Sequence, residues 1–192
     1  MDDHAALTRK QSVAVCLLIA GLLLAGSAGA GASPPFAARQ GLDLASAAAQ
    51  SWSADATLVY IENDEPLQEN GTAARWGYLF YSAAQDRSRV WSVRGGRVAA
   101  AENLDMRFDA PPVSADWLDS TAALAAAEKG GGEAFRREFH GRLATMLLMR
   151  GAFTEGDPDV TTWTFVYRAP GAPSLFVVVG ASDARVQRTW RG

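Results

Sequence analysis

Alternation of apolar and polar positions marks a strand pair that occurs twice in this chain. In the first copy, Ala74 to Tyr81, the residues Trp76, Tyr78 and Phe80 point one way and Arg75, Leu79 and Tyr81 the other, because successive side chains alternate across a strand. Ser88 to Val93 continues the same period. Arg94-Gly95-Gly96-Arg97 is then a hairpin signal, since both central residues of the favoured two-residue turn need positive φ. Val98 to Glu102 closes the copy. The second copy runs Thr161 to Arg168 with Trp163, Phe165 and Tyr167, then Leu175 to Val179, then Arg185 to Trp190. A continuous apolar run precedes each. Ala56 to Ile61 is rich in β-formers and predicts a strand buried on both faces. Leu143 to Met149 alone fits a helix or a strand, and its place in the repeat argues strand.

Between these runs the period changes to that of a helix. Leu44, Ala47, Ala48 and Trp52 predict a helix over Leu42 to Ser51, with Asp43 near its start. A second begins near Asp116 or Asp119 with Leu118, Ala122, Leu124, Ala125 and Ala126 as its apolar face, and Gly130-Gly131-Gly132 ends it as a linker. Glu133 to Gly141 is a further helix carrying Phe135 and Phe139. The copies align at offsets of 86 to 88: Ala56–Ile61 on Ala144–Met149, Trp76 on Trp163, Ser88 and Val93 on Ser174 and Val179, Arg97-Val98 on Arg185-Val186. The expected fold class is therefore α+β: two fused repeats, each an N-terminal helix packed on an antiparallel sheet, after an N-terminal signal or anchor helix. The expected divisions are residues 1–32 as the export segment, 33–40 as a linker, 41–103 as the first repeat, 104–114 as a linker marked by Pro111-Pro112, and 115–192 as the second repeat. Whether the repeats share one sheet stays open.

The first 32 residues resemble an export signal. Arg9 and Lys10 precede an apolar run from Val13 to Ala25, and Ala28-Gly29-Ala30 and Ala30-Gly31-Ala32 fit a cleavage site. The run is shorter than the roughly 20 residues a bilayer span needs. An uncleaved anchor through residues 13–32 is the alternative. The expected location is extracytoplasmic, periplasmic or secreted, or else the inner membrane through that one anchor. The one cysteine, Cys16, lies inside the run, so the chain beyond it has no disulfide, thiol nucleophile or thiolate metal site.

Charged residues make up 20% of the chain and hydrophobic ones 48%, a globular balance. The net charge of −3 gives no sign of a nucleic-acid footprint, which needs a basic excess clustered on one face. Arginine outnumbers lysine sixteen to two. This follows the abundance of Ala and Gly and reads first as base composition.

Val179-Gly180-Ala181-Ser182-Asp183-Ala184-Arg185-Val186 is similar to the closing hairpin of PepSY domains, small exported bacterial modules in which a strand ends in Val before Asp-Ala-x-Thr-Gly-x-Val. Ala181 and Val186 match, while Gly180 replaces the Asp, Asp183 the Thr and Ala184 the Gly. The resemblance covers residues 115–192 and extends more distantly to 41–102. It implies an extracytoplasmic, non-catalytic module that binds or restrains other proteins, peptidases among them, with no catalytic residues to carry over.

Candidate chemistry is sparse. His140 is the one histidine after residue 32 and would have to serve any Ser-His-Asp site. No Gly-x-Ser-x-Gly elbow supplies a nucleophile, and the residue reads as a helix-end histidine. Two acidic stretches, Glu62-Asn63-Asp64-Glu65 and Glu155-Gly156-Asp157-Pro158-Asp159, lack the ordered six to eight oxygens of a calcium loop and read as solvated turns. Of six tryptophans, Trp76, Trp91, Trp163 and Trp190 lie in the repeated strands at alternating positions, as a core under a helix requires. Trp190, beside Arg188 and Arg191, is the best candidate for an exposed aromatic. Trp190, Arg188, Arg191 and Tyr81 make the candidate binding surface. No cofactor or metal is expected. The expected partner is an envelope protein or peptide taken up at an open sheet edge. A small ligand or lipid held between helix and sheet, beside Trp76, Tyr78 and Phe80, is the alternative, and a hydrolase is disfavoured.

Overall fold

The computed structural model describes residues 33–104, 108, 110–151 and 159–192. Residues 1–32, expected as the export segment, and residues 155–158 of the second acidic loop lie outside the described residues. A short 3-10 turn, Ala38–Gly41, leads into α1 (Leu42–Trp52), followed by β1 (Thr57–Asn63), β2 (Arg75–Ser82), β3 (Arg87–Arg94) and β4 (Arg97–Asn103). Then come α2 (Ser120–Ala127), α3 (Glu133–Phe139), β5 (Arg142–Arg150), β6 (Thr161–Ala169), β7 (Ala172–Gly180) and β8 (Val186–Arg191). All eight strands form one antiparallel sheet in the order β4-β3-β2-β1-β5-β6-β7-β8. The first strands of the two sets, β1 and β5, pair at the centre, so the last strands, β4 and β8, are the two edges.

The two sets of four strands share their landmarks. Trp76 faces Val93, which faces Val98; Trp163 faces Val179, which faces Val186. One extra residue, Ala99, bulges β4, and Gln187 does the same in β8. The central strands bulge too, at Val59 and at Ala144. The register corrects one alignment. Ile61 faces Tyr78 and Met146 faces Phe165, so the equivalents in β1 and β5 lie 85 residues apart, not 88. Apolar runs slide along one another without changing their appearance, whereas backbone pairing admits one position.

The helices lie on one face. Ala45 and Ala49 of α1, Ala123, Leu124 and Ala127 of α2, and Phe135 of α3 join Trp76, Tyr78, Trp91, Trp163, Phe165 and Tyr167 in a single core. Small residues on the helices let the aromatic rings of the strands fill the interlayer space. Trp163 is the hub, edge-on to Trp76 at 6.4 Å and to Trp117 at 5.9 Å. Each indole of this pair is also tied to the chain just ahead of a helix: Trp76 Nε1 donates to the Phe36 carbonyl and Trp163 Nε1 to that of Leu118, both at 2.8 Å.

The helix N-termini meet. Asp119 caps α2 by accepting from the Ser120 N–H at 2.7 Å, and it also accepts from the Arg39 N–H at 2.9 Å. Ser120 Oγ accepts from the Ala38 N–H. The Arg39 guanidinium donates to the Trp117 carbonyl and lies 4.1 Å over its ring. Residues 33–40, expected as a linker, are thus partly built into the core: Ala37 and Ala38 are buried and Phe36 pairs with Ala73.

Gly130-Gly131-Gly132 does not end a helix as expected. It carries α2 into α3 through a kink at Gly131, whose φ is 129°. The reason is close approach. A Cβ at Gly132 would run into the Tyr167 ring, and one at Gly130 would meet Val186 Cγ2 at 2.9 Å. Glu128 holds the bend, accepting from Arg136 at 2.7 Å and from the Tyr167 hydroxyl at 2.9 Å. The hairpin Arg94–Arg97 has the predicted geometry, with φ of 57° at Gly95 and 71° at Gly96. Among the described residues no helix is long and apolar enough to cross a membrane.

Candidate functional site

Polar chemistry gathers on the sheet face opposite the helices. β1 was expected to end at Ile61, before a solvated acidic turn. It runs on to Asn63, and its acids are buried: Glu62 is 4% exposed and the Asp64 side chain 5%. Three neighbours explain this correction. Glu62 faces Gly77 of β2, the one residue there without a side chain, and Gly77 faces Ser92 of β3. The Asp64 carboxylate folds back over the same glycine, where a Cβ would lie 2.7 Å from Oδ1. Two carboxylates thus converge above Gly77. Asn63 stitches the seam beside them, accepting from the Met146 N–H at 2.7 Å and donating to the Ala144 carbonyl at 3.4 Å.

Burial pushes the Glu62 carboxyl up to about 7; the 2.6 Å bond from the Tyr60 hydroxyl opposes the rise and the charge of Asp64 adds to it. Burial likewise lifts Asp64 to about 6, against the Ser92 hydroxyl that donates to it and Arg75 at 3.6 Å. Such a pair can take up or release protons near neutrality. Among the described residues the rest of a hydrolytic site is not assembled around it. His140 is exposed at the end of α3, in a left-handed backbone conformation (φ 52°), and its imidazole makes no hydrogen bond among the described residues. Ser92 is committed to Asp64. Among the described residues no group of three or more His, Cys, Asp or Glu side chains is placed to hold a metal.

The four residues expected to share a binding surface do not. Arg188 and Trp190 project from β8 on the helix-free face, opposite Val178 and Phe176. Trp190 is half-buried, stacked on Phe176 at 4.9 Å and 6°, with Arg188 4.9 Å over its ring. Arg191 points to the other face, over Phe139 at 4.5 Å and 4.0 Å from Glu138. Tyr81 lies on β2, five strand steps from β8 or about 24 Å away, and its hydroxyl donates to Asp86. Alternation along β8 separates Arg191 from its neighbours, and strand order separates Tyr81 from all three.

Beside Trp76 and Tyr78 the space between helix and sheet is closed. Trp76 and Tyr78 are 0% exposed and Phe80 is 3%. The edges are open: β4 is exposed along almost its whole length, with Arg97 and Glu102 flanking the uncharged Val98-Ala99-Ala100-Ala101, and β8 is exposed with Arg188 and Arg191.

Sequence reasoning missed a row of arginines at one end of the helix-free face. Arg75 faces Arg94, which faces Arg97, across three adjacent strands. Arg142 of β5 faces Arg168 of β6 at the same end. The signal was present as the excess of arginine over lysine, but only pairing register brings these positions together.

No family model matches this chain, and no curated protein matches it. Among solved structures it is similar to a Clostridium difficile 630 protein described as a "putative lipoprotein", with 14% identity over 74% of this chain and 87% of that one, at a TM-score of 0.48. A likeness of that size carries no argument about function.

Proposed function

We propose that this chain is an exported, non-catalytic binding module, built of two duplicated PepSY-like helix-and-sheet units, that engages an envelope protein or peptide by strand addition at β4 and restrains it, a peptidase being the partner class the resemblance favours. The observation that carries this reading is the open β4 edge. An edge strand offers unpaired backbone groups to an extended partner, and natural edges are usually blunted by charge, bulge or cover. β8 has both a bulge and arginines. β4 has the bulge at Ala99 and carries charge only towards its ends, at Arg97 and Glu102, which leaves Val98 to Ala101 uncharged. The export-like segment before Ser33 supports the same reading.

Photo-crosslinking in cells tests it. A crosslinking residue at Ala101 should capture one defined partner, one at Thr189 should not, and Ala99→Lys should abolish the capture. Equal yields from both edges, or capture that survives Ala99→Lys, would reject strand addition at β4.

A further inference from the structure

The fold does not explain why Arg142 and Arg168 stand opposite one another. Directly opposed like charges destabilise an antiparallel pair. Both residues are exposed, and neither has an ion-pair partner among the described residues. Arg97, at the other side of the same sheet end, is exposed and unpaired in the same sense. The two arginines nearest it are neutralised: Arg75 lies 3.6 Å from Asp64 and Arg94 3.3 Å from Glu65. A chain of net charge −3 therefore carries a single file of guanidinium groups on one sheet end, three of them without acids of their own. A departure from local pairing rules with no structural return marks a surface whose counterpart lies outside the fold.

We propose that Arg97, Arg142 and Arg168 form a docking strip for an acidic, extended segment of a protein partner. This rests on the binding-module reading above and specifies the partner's chemistry. Guanidinium forks recognise carboxylates in a planar, two-point manner. From β4 to β6 there are five strand steps, about 24 Å, which an extended segment of roughly seven residues spans. Lipid surfaces are attracted by clusters of about four to eight basic residues; three in single file suit one polypeptide strand better.

The test uses the full chain and a fluorescent peptide of about eight alternating Glu and Thr residues, read by anisotropy, with amide exchange of β4 followed in the bound state. The acidic peptide should bind with a marked salt dependence and its Lys-Thr counterpart should not. Arg142→Gln with Arg168→Gln should weaken binding about ten-fold or more, with Arg97→Gln adding to the loss; the double Lys variant should fall between. Equal binding by both peptides or by the double Gln variant overturns the proposal. So does arginine-dependent binding to phosphatidylglycerol vesicles without peptide binding. Protection of β4 amides in a complex indifferent to the arginines would spare strand addition and reject the strip. Arginine-dependent binding without that protection would do the reverse.

Discussion

On either side of the central seam the same backbone carries different chemistry. Glu62 of β1 and Leu147 of β5 face one another and hold equivalent places in their halves. Beyond Glu62 come Gly77 and Ser92, with Asp64 folded over the glycine; beyond Leu147 come Thr164 and Val178. One half has buried acids above a missing side chain. The other fills the same space with apolar groups and one hydroxyl, Thr164 Oγ1, that has no partner. On the helix side the halves remain alike, with a buried tryptophan hydrogen-bonded to the chain ahead of each helix. The difference teaches that the aromatic layer under the helices holds the fold, and that the opposite face is free to diverge.

The largest expected effect lies where the halves agree. Trp163→Ala should destabilise by about 3–5 kcal/mol and Trp76→Ala by a similar or smaller amount. Trp163 contacts the rings of Trp76, Trp117 and Phe165, so a larger loss at Trp76 in urea denaturation would contradict its place as hub.

The halves should part in their response to pH. Glu62 binds its proton more tightly folded than unfolded, so between its ordinary value of 4.5 and about 7 the native state holds more protons. Stability conferred by that bound proton is complete below 4.5 and is lost as pH rises to about 7. The loss is on the order of 3 kcal/mol for this group. Asp64 acts in the same direction between 3.8 and about 6. Denaturation midpoints measured across this window should fall with rising pH, and Glu62→Gln should flatten the profile. A profile unchanged by Glu62→Gln would mean that the carboxylate is solvated.

Two smaller substitutions exchange the character of the halves. Gly77→Ala sets a methyl against the Asp64 carboxylate and should cost about 1–3 kcal/mol. Thr164→Val removes a buried hydroxyl without a partner and should raise stability by about 1 kcal/mol. Thermal denaturation of both decides whether the polar half is packed as tightly as the apolar one; a neutral Gly77→Ala would show that Asp64 can swing away.

The elements were largely legible in the sequence because their signals are local. Period-two alternation marks Trp76, Tyr78 and Phe80 and their counterparts, and paired glycines mark the hairpin before Arg97. The candidate site was far less legible. Glu62-Asn63-Asp64-Glu65 has the composition of a turn, and what buries it is a glycine thirteen to fifteen residues away together with Ser92 and Arg75. Gly130-Gly131-Gly132 has the composition of a linker, and what makes it a helical kink is the ring of Tyr167 beneath it. Trp190, Arg188 and Arg191 are neighbours in sequence, but alternation sends Arg191 to the other face.

The sequence by itself determined the strand and helix segments, the side of each strand that meets the core, and an export-like start, since each depends on residues within a few positions of one another. Only the tertiary structure decided that β1 and β5 join the two sets into one sheet, that the equivalents in those strands lie 85 residues apart, that Glu62 and Asp64 are buried and that five arginines gather at one sheet end. Each of these depends on backbone pairing between distant segments, where a shift of one residue reverses every side chain and composition does not register the change.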